Sequence, residues 1–125
     1  MATTSDTQIQ KRAFSEPDET RPAGRGQGEI VSLGHASFAK VTLEPGWRWS
    51  TDVKPITGTH SCQATHTGIV LSGHIHLVMD DGREMEFAEG DVYHIPAGHD
   101  AWVVGDEPYV GVDVSGGDLW AKPAS

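Results

Sequence analysis

Residues 59–73, THSCQATHTGIVLSG, hold three side chains that can bind a metal ion. His60, Cys62 and His66 are separated by two and by four residues, and Gly73 follows the last of them by seven. On an extended strand, residues two or four apart point to the same face. We therefore expect the three side chains to share one space, where they form a candidate metal site.

The segments on both sides of this stretch show the two-residue period of β-strands. HIHLVM at 74–79 alternates, the DDG that follows is typical of a hairpin turn, and REMEF at 83–87 alternates again. Upstream, strands are predicted at 28–33 and 36–43. Downstream, two short strands flank a Pro-Ala-Gly corner, and PYVGVDV ends the series. About eight short strands separated by turns, with no helical period, predict an all-β sandwich or barrel.

The composition indicates one small acidic domain. The 125 residues carry a formal net charge of −9, and a chain of this length builds one core. Such a surface repels phosphate backbones and anionic lipid, so we expect no nucleic acid and no membrane as partners. Cys62 is the only cysteine, which predicts a free thiol in a reducing cytoplasm. No apolar run is long enough for a signal peptide or a membrane span.

The two ends of the chain differ from its middle. Residues 1–27 are polar, with Ile9 and Phe14 as the only sizeable apolar side chains. Such a segment cannot bury a core of its own, so we predict a polar N-terminal arm that is loose or docked, with Phe14 as its anchor. The barrel is predicted over 28–120 and a short tail over 121–125.

These spacings resemble the two sequence motifs of the cupin superfamily. His-x-Cys-x3-His-x6-Gly, over 60–73, has the spacing of the first motif, and Gly-x5-Pro-x-Gly, over 90–98, has that of the second. The resemblance covers about 28–115 and extends to a group of short, uncharacterised single-domain bacterial cupins. It implies an antiparallel jelly-roll β-barrel of the cupin type, with a divalent metal in the barrel cavity.

The candidate ligands depart from the usual cupin set of three histidines and one glutamate. Cys62 stands where the first motif has its second histidine, and His66 stands where it has the glutamate. Ala101 occupies the place of the histidine in the second motif. His99 lies two residues earlier with the same parity, so it can enter the same cavity from the rim. The predicted metal ligands are His60, Cys62, His66 and His99.

A thiolate combined with imidazoles favours a divalent transition metal over magnesium or calcium. Zinc is the metal expected in the purified protein, and iron, nickel, manganese and copper also suit such a site. Two other interpretations stay open. A lone cysteine is more often a small apolar core residue, and the alanine at position 101 is consistent with a metal-free barrel.

Four further residues are predicted to line the space beside the metal and to bind a small molecule: Trp47, Trp49, Tyr93 and His94. Large aromatic residues in a small barrel are also typical of plain core packing. Two functions stay open. The first is a metal-dependent enzyme of the oxygenase, isomerase or lyase type; the second is a non-catalytic ligand-binding or sensing cupin with a structural or absent metal. The fold alone does not choose between them.

The strand that carries His66 also predicts a homodimer. If His66 faces the cavity, the period of the strand turns Ile69 and Leu71 outward. An exposed apolar stripe is typical of a surface that a partner covers, so we expect two copies of the chain to pair.

Overall fold

The structure is a computed structural model that describes residues 7–34, 36–115 and 120–122. These residues form nine strands and two one-turn helices. The strands are β1 (Glu19–Ala23), β2 (Gly26–Leu33), β3 (Ala36–Leu43), β4 (His66–Ser72), β5 (His74–Met79), β6 (Glu84–Ala88), β7 (Val92–Ile95), β8 (His99–Val104) and β9 (Tyr109–Ser115). The helices, between β3 and β4, are α1 (Trp49–Asp52) and α2 (Lys54–Thr57).

The strands form two antiparallel sheets. The larger sheet has the order β1-β2-β3-β9-β4-β7, and the smaller has the order β6-β5-β8. The last strand, β9, lies between β3 and β4 and pairs with both. Long-range antiparallel pairing of this kind is typical of a jelly roll. The predicted antiparallel jelly-roll architecture is confirmed, although the described strands leave the two sheets unjoined by a continuous hydrogen-bond ladder.

The core lies between the two sheets and is built from alternate strand positions. Strand β3 buries Ala39, Val41 and Leu43, and β5 buries Ile75 and Leu77. Apolar side chains at every second position fit a half-buried strand. All five belong to one hydrophobic cluster, so the inner faces of both sheets border the same interior.

Regular structure begins earlier than the sequence predicts. Strand β1 lies inside the predicted arm and pairs with β2, and Ala23 is fully buried. The strand predicted at 28–33 is present within β2, but it is the second strand of the chain and not the first. β1 is a short edge strand with mostly exposed side chains, so its sequence shows no alternation of apolar and polar residues. Pro22 is tolerated there because an edge strand leaves backbone N–H groups unpaired.

The two ends pack differently from each other. Phe14, the predicted anchor, is half-buried and borders a groove together with Phe38 and Val112. Of the predicted tail, residues 121 and 122 are described. Ala121 is buried and joins the hydrophobic cluster, so the packed body continues past residue 120.

The segment between β3 and β4 forms two helical turns that the sequence does not reveal. Helices of four residues are too short to show a 3.6-residue apolar period. Pro55 lies in the first turn of α2, where its missing N–H costs no hydrogen bond, and Gly58 ends that helix at a φ of 75°. This segment buries Trp49 and Val53 against the core.

No helix in the described part of the chain is long and apolar enough to cross a membrane.

Candidate metal centre

Three of the four predicted ligands come together in the interior. Cys62, His66 and His99 each offer one ligand atom, and these atoms lie within 4.8 Å of one another. All three residues are buried, with 8%, 8% and 4% of their surface exposed. We call this group the donor cluster.

Backbone pairing holds Cys62 beside His99. The two residues form an isolated antiparallel bridge, in which the Cys62 N–H donates to the His99 carbonyl at 2.8 Å. The Cys62 carbonyl accepts from the N–H groups of Gly98 and His99 at 2.6 and 3.3 Å. Gly98 has a φ of 92°, a value that favours glycine, so this corner turns the chain into β8 and brings His99 inward.

A buried carboxylate orients His66. Its Nδ1 lies 2.7 Å from Oδ2 of Asp113 on β9, and Asp113 is 4% exposed. A carboxylate only accepts hydrogen bonds, so Nδ1 carries the proton. The other carboxylate oxygen accepts from the Tyr93 hydroxyl. Burial and the Asp113 charge raise the pKa of Tyr93, which keeps that hydroxyl protonated.

His99 is held in the same way by the backbone. Its Nδ1 lies 2.8 Å from the Pro96 carbonyl oxygen, which fixes the Nδ1–H tautomer because a carbonyl cannot donate. The rings of His66 and His99 meet edge to face, with centroids 5.2 Å apart. Nε2 of His66 lies 3.5 Å from Cys62 Sγ. With Nδ1 of both rings occupied, Nε2 of each is the nitrogen available to a metal.

The donors perturb one another's protonation. Burial raises the pKa of the Cys62 thiol, but hydrogen bonds and positive charge from His66 and His99 outweigh burial and lower that pKa to about 6. Burial lowers the pKa of His66, whereas Asp113 and Cys62 raise it, with a net result of about 10. Without a metal, the site holds a thiolate beside an imidazolium at neutral pH. The thiolate is the form of cysteine that binds metals.

The donor cluster opens onto a cavity of about 70 Å³, which we call the inner cavity. Every described residue that lines it is buried. Its apolar wall includes Val41, Leu43, Trp47, Trp49, Ile75 and Leu77. Ala101, in the place of the missing motif histidine, also lines the cavity, so a methyl group occupies that position.

Three of the predicted ligand-binding residues border this space and one does not. Trp47, Trp49 and Tyr93 line the inner cavity. His94 is exposed on β7, where its Nδ1 lies 3.2 Å from the Thr67 hydroxyl, so the expectation that it lines the cavity is wrong. Tyr93 and Ile95 take the inward positions of that short strand, which turns His94 outward.

His60 does not join the donor cluster. It is exposed, whereas Cys62 is buried, so the expectation that both share one face is wrong. Residues 59–61 form a bend and β4 begins only at His66. The two-residue parity of a strand therefore does not hold between positions 60 and 62. Cys62 faces inward because of its bridge to His99.

Asp113 supports the site but is not predicted from the sequence. It lies 47 residues from His66 in the chain, and no local spacing links the two. The signal available is an acidic residue within the apolar strand PYVGVDV. That signal is ambiguous, because Val110, Val112 and Val114 alternate with it and predict the opposite face as the buried one.

A family comparison bears on the same residues. Residues 39–115, more than half of the chain, match the family model described as a cupin domain. The chain is a cupin. The matched range contains the whole donor cluster and Asp113. No functionally curated protein matches this cupin.

Solved structures share the fold of this cupin at low sequence identity. A sugar phosphate isomerase of the cupin superfamily from Silicibacter pomeroyi is 21% identical, with a TM-score of 0.59 over 84% of this chain and 74% of that one. A protein of unknown function from Acidithiobacillus ferrooxidans is 22% identical, with a TM-score of 0.59 over 91% and 100%. The Lactobacillus farciminis oxalate decarboxylase in a formate complex is 17% identical, with a TM-score of 0.61 over 89% and 34%. Identities this low support the fold alone.

The donors of this cupin fit a divalent transition metal. One sulfur and two imidazole nitrogens are ligands that zinc and its neighbours prefer over oxygen-rich sites. The Nδ1–H group of each imidazole is held by an outer acceptor, which is the usual support for a metal-binding histidine. Three protein donors also leave a coordination position for water or a small molecule.

Proposed function

We propose that this cupin binds one divalent transition metal through Cys62, His66 and His99 and holds a small molecule in the inner cavity. The observation that carries the proposal is the buried cluster of three donor atoms within 4.8 Å. Zinc is the ion we expect after purification, with iron, nickel, manganese and copper as the others to test. A thiolate ligand stays reduced in the cytoplasm, which is the location we propose.

The surrounding residues prepare the site for a metal that acts on a bound molecule. A metal with an open position supplies a Lewis acid and lowers the pKa of bound water. Asp113 and the Pro96 carbonyl hold the two imidazoles in one orientation. Tyr93 holds Asp113 in turn. The buried aromatic wall excludes bulk water, which strengthens every charge interaction inside.

The proposed enzyme classes are the oxygenases, isomerases and lyases. Structural neighbours named as a sugar phosphate isomerase and an oxalate decarboxylase act on anionic compounds. The inner cavity has no Lys or Arg among its described lining residues. It therefore lacks the cationic side chains that usually hold a phosphate, and we do not transfer either substrate to this cupin.

Metal analysis of the purified protein tests the proposal. Wild type should carry up to one equivalent of transition metal, and Cys62→Ser combined with His66→Ala should lose it. His60→Ala is the matched control, because His60 is exposed and lies in the same segment; this variant should retain the metal. A wild-type protein that stays metal-free after incubation with zinc, iron, nickel, manganese and copper ions would contradict the proposal.

A non-catalytic ligand-binding or sensing module is the second candidate. It is favoured by one observation, the burial of every lining residue of the inner cavity that the structure describes, because turnover needs a route for substrate and product. X-ray absorption on the zinc protein separates the two candidates. One exchangeable oxygen beside three protein ligands supports the open, catalytic site, whereas four protein ligands support a closed, structural one.

A further inference from the structure

The inner cavity also indicates what kind of molecule binds there. We propose that its ligand is a small, electrically neutral molecule with a hydrogen-bond acceptor, such as a short carbonyl or hydroxyl compound. This proposal rests on the proposed metal site. Three features of the cavity support it independently: its charge, an unpaired donor and its size.

The charges around the inner cavity balance without a charged ligand. Its lining includes the Asp113 carboxylate and the Cys62 thiol, and a thiol binds metals as the thiolate. Their two negative charges offset the two positive charges of a divalent ion. Because no Lys or Arg is found among the described lining residues, an anionic ligand would add a buried charge that no side chain offsets. A neutral ligand leaves the balance intact.

Trp47 carries an unpaired hydrogen-bond donor at this cavity. The residue is 3% exposed and lines the cavity. Within the described part of the chain, its indole N–H has no hydrogen-bond partner. Gly26 allows the indole edge to pack closely against β2, since a Cβ at position 26 would lie 3.1 Å from Nε1. Buried N–H groups are nearly always paired, and a carbonyl or hydroxyl oxygen on a ligand would supply the missing acceptor.

The volume limits the ligand to a few atoms. The inner cavity measures about 70 Å³, whereas an apolar cavity of about 150 Å³ holds one benzene molecule. The inner cavity therefore accepts about three or four non-hydrogen atoms beside the donor cluster. Acetamide and acetate have this size and nearly the same shape, and they differ in charge.

Cobalt(II)-loaded protein titrated with these two probes tests the proposal. At pH 8, acetamide should change the visible spectrum of the cobalt, and acetate should bind at least about tenfold more weakly because of its uncompensated charge. Trp47→Phe should weaken acetamide binding by about tenfold, the effect of one lost hydrogen bond, with cobalt affinity unchanged. Trp102→Phe is the control, because Trp102 stacks on His76, away from the inner cavity; it should change neither.

The outcomes distinguish the ligand from the metal site. If wild type shows no thiolate-to-cobalt charge-transfer band, the metal site itself is refuted. If that band is present and acetate binds as tightly as acetamide, or neither probe binds, the metal site stands and the neutral-ligand proposal is wrong. Acetamide binding that is unchanged in Trp47→Phe also overturns it. If Trp47→Phe fails to fold, the comparison of acetamide with acetate on the wild-type protein still tests the neutral-ligand proposal.

Discussion

His66 depends on a single carboxylate for its orientation. Asp113 accepts from Nδ1 of His66 at 2.7 Å and from the Tyr93 hydroxyl. Loss of an outer partner of a ligating histidine lowers metal affinity by about 10- to 100-fold. We therefore expect Asp113→Asn to weaken zinc binding by at least about tenfold, because the amide removes the charge that favours the Nδ1–H tautomer. Competition with a chromophoric chelator measures this affinity.

Two further variants control for that experiment. Tyr93→Phe leaves the bond between Asp113 and His66 in place, so its zinc affinity should fall less than that of Asp113→Asn. Asp106→Asn changes an exposed aspartate between β8 and β9 and should bind zinc like wild type. Equal affinities for Asp113→Asn and Asp106→Asn would remove Asp113 from the support of the site.

The pKa values of the donor cluster predict how zinc affinity depends on pH. The pKa of Cys62 is lowered to about 6 and that of His66 is raised to about 10. Between these values Cys62 is already a thiolate, whereas His66 must release one proton before it can bind a metal. Zinc affinity should therefore rise about tenfold per pH unit between pH 7 and 9, with one proton released per ion.

Calorimetry of zinc binding in buffers of different ionisation enthalpy counts that proton. Below about pH 6 the Cys62 thiol is protonated as well, so the slope should steepen toward two protons. Asp113→Asn removes the interaction that raises the His66 pKa most, and the proton release at pH 8 should then decrease. A zinc affinity that is flat between pH 7 and 9 would show that His66 does not bind the metal.

At the scale of the secondary-structure elements, period and turn composition predict most of the fold. The hairpin of β5 and β6 follows its alternation, and Val78↔Glu84 is its last ladder pair before the turn. The shared parity of His99 and Ala101 likewise turns both residues inward on β8, whereas Cys62 enters the site through its bridge to His99. What the sequence does not supply is long-range pairing: β9 brings Asp113 beside His66, and no local pattern encodes that approach.

Short elements explain the other differences between sequence and structure. β1 and the two helical turns contain four or five residues each, which is less than a periodic pattern requires. The error at His60 has the same origin. It came from extending the parity of β4 upstream of His66, where the chain is not a strand. Local conformation, rather than residue spacing, sets which side chains enter the cavity there.

The contact between β4 and the Tyr93 side chain requires a glycine. A Cβ at Gly68 would overlap the Val112 carbonyl oxygen and lie 2.7 Å from the Tyr93 hydroxyl. Gly68→Ala should therefore lower the free energy of unfolding by about 1–3 kcal/mol, and it should weaken zinc binding by displacing Tyr93 from Asp113. Urea denaturation and chelator competition measure the two effects.

Ser72→Ala is the control on the same strand. Ser72 is half-buried at the end of β4, so this variant should stay within about 0.5 kcal/mol of wild type. A Gly68→Ala protein with unchanged stability would mean that β4 and β9 shift apart freely. If Gly68→Ala is destabilised but binds zinc as wild type does, the position of Tyr93 does not affect how Asp113 supports the metal site.

At the scale of the whole molecule, the outer face of the six-stranded sheet carries an exposed apolar patch. Ile69, Leu71, Val92 and Val114 are 37%, 46%, 76% and 39% exposed. Ile69 pairs with Val92 on one side and with Val112 on the other, so residues of three neighbouring strands form one continuous surface. Contiguous apolar surface of this kind is typical of an interaction site.

We predict that a second copy of the chain covers this patch. Two-fold pairing places the same apolar residues opposite one another, which buries them without a charged partner. Light scattering at tens of micromolar should therefore report about twice the monomer mass of 13.4 kDa.

Leu71→Glu should give monomers, because it would bury two carboxylates at the interface. Met85→Glu is the matched control: Met85 is 60% exposed on β6 of the other sheet, and this variant should remain dimeric. A wild-type monomer, or a dimer that Leu71→Glu leaves intact while Met85→Glu disrupts it, would show that the six-stranded sheet is not the dimer face.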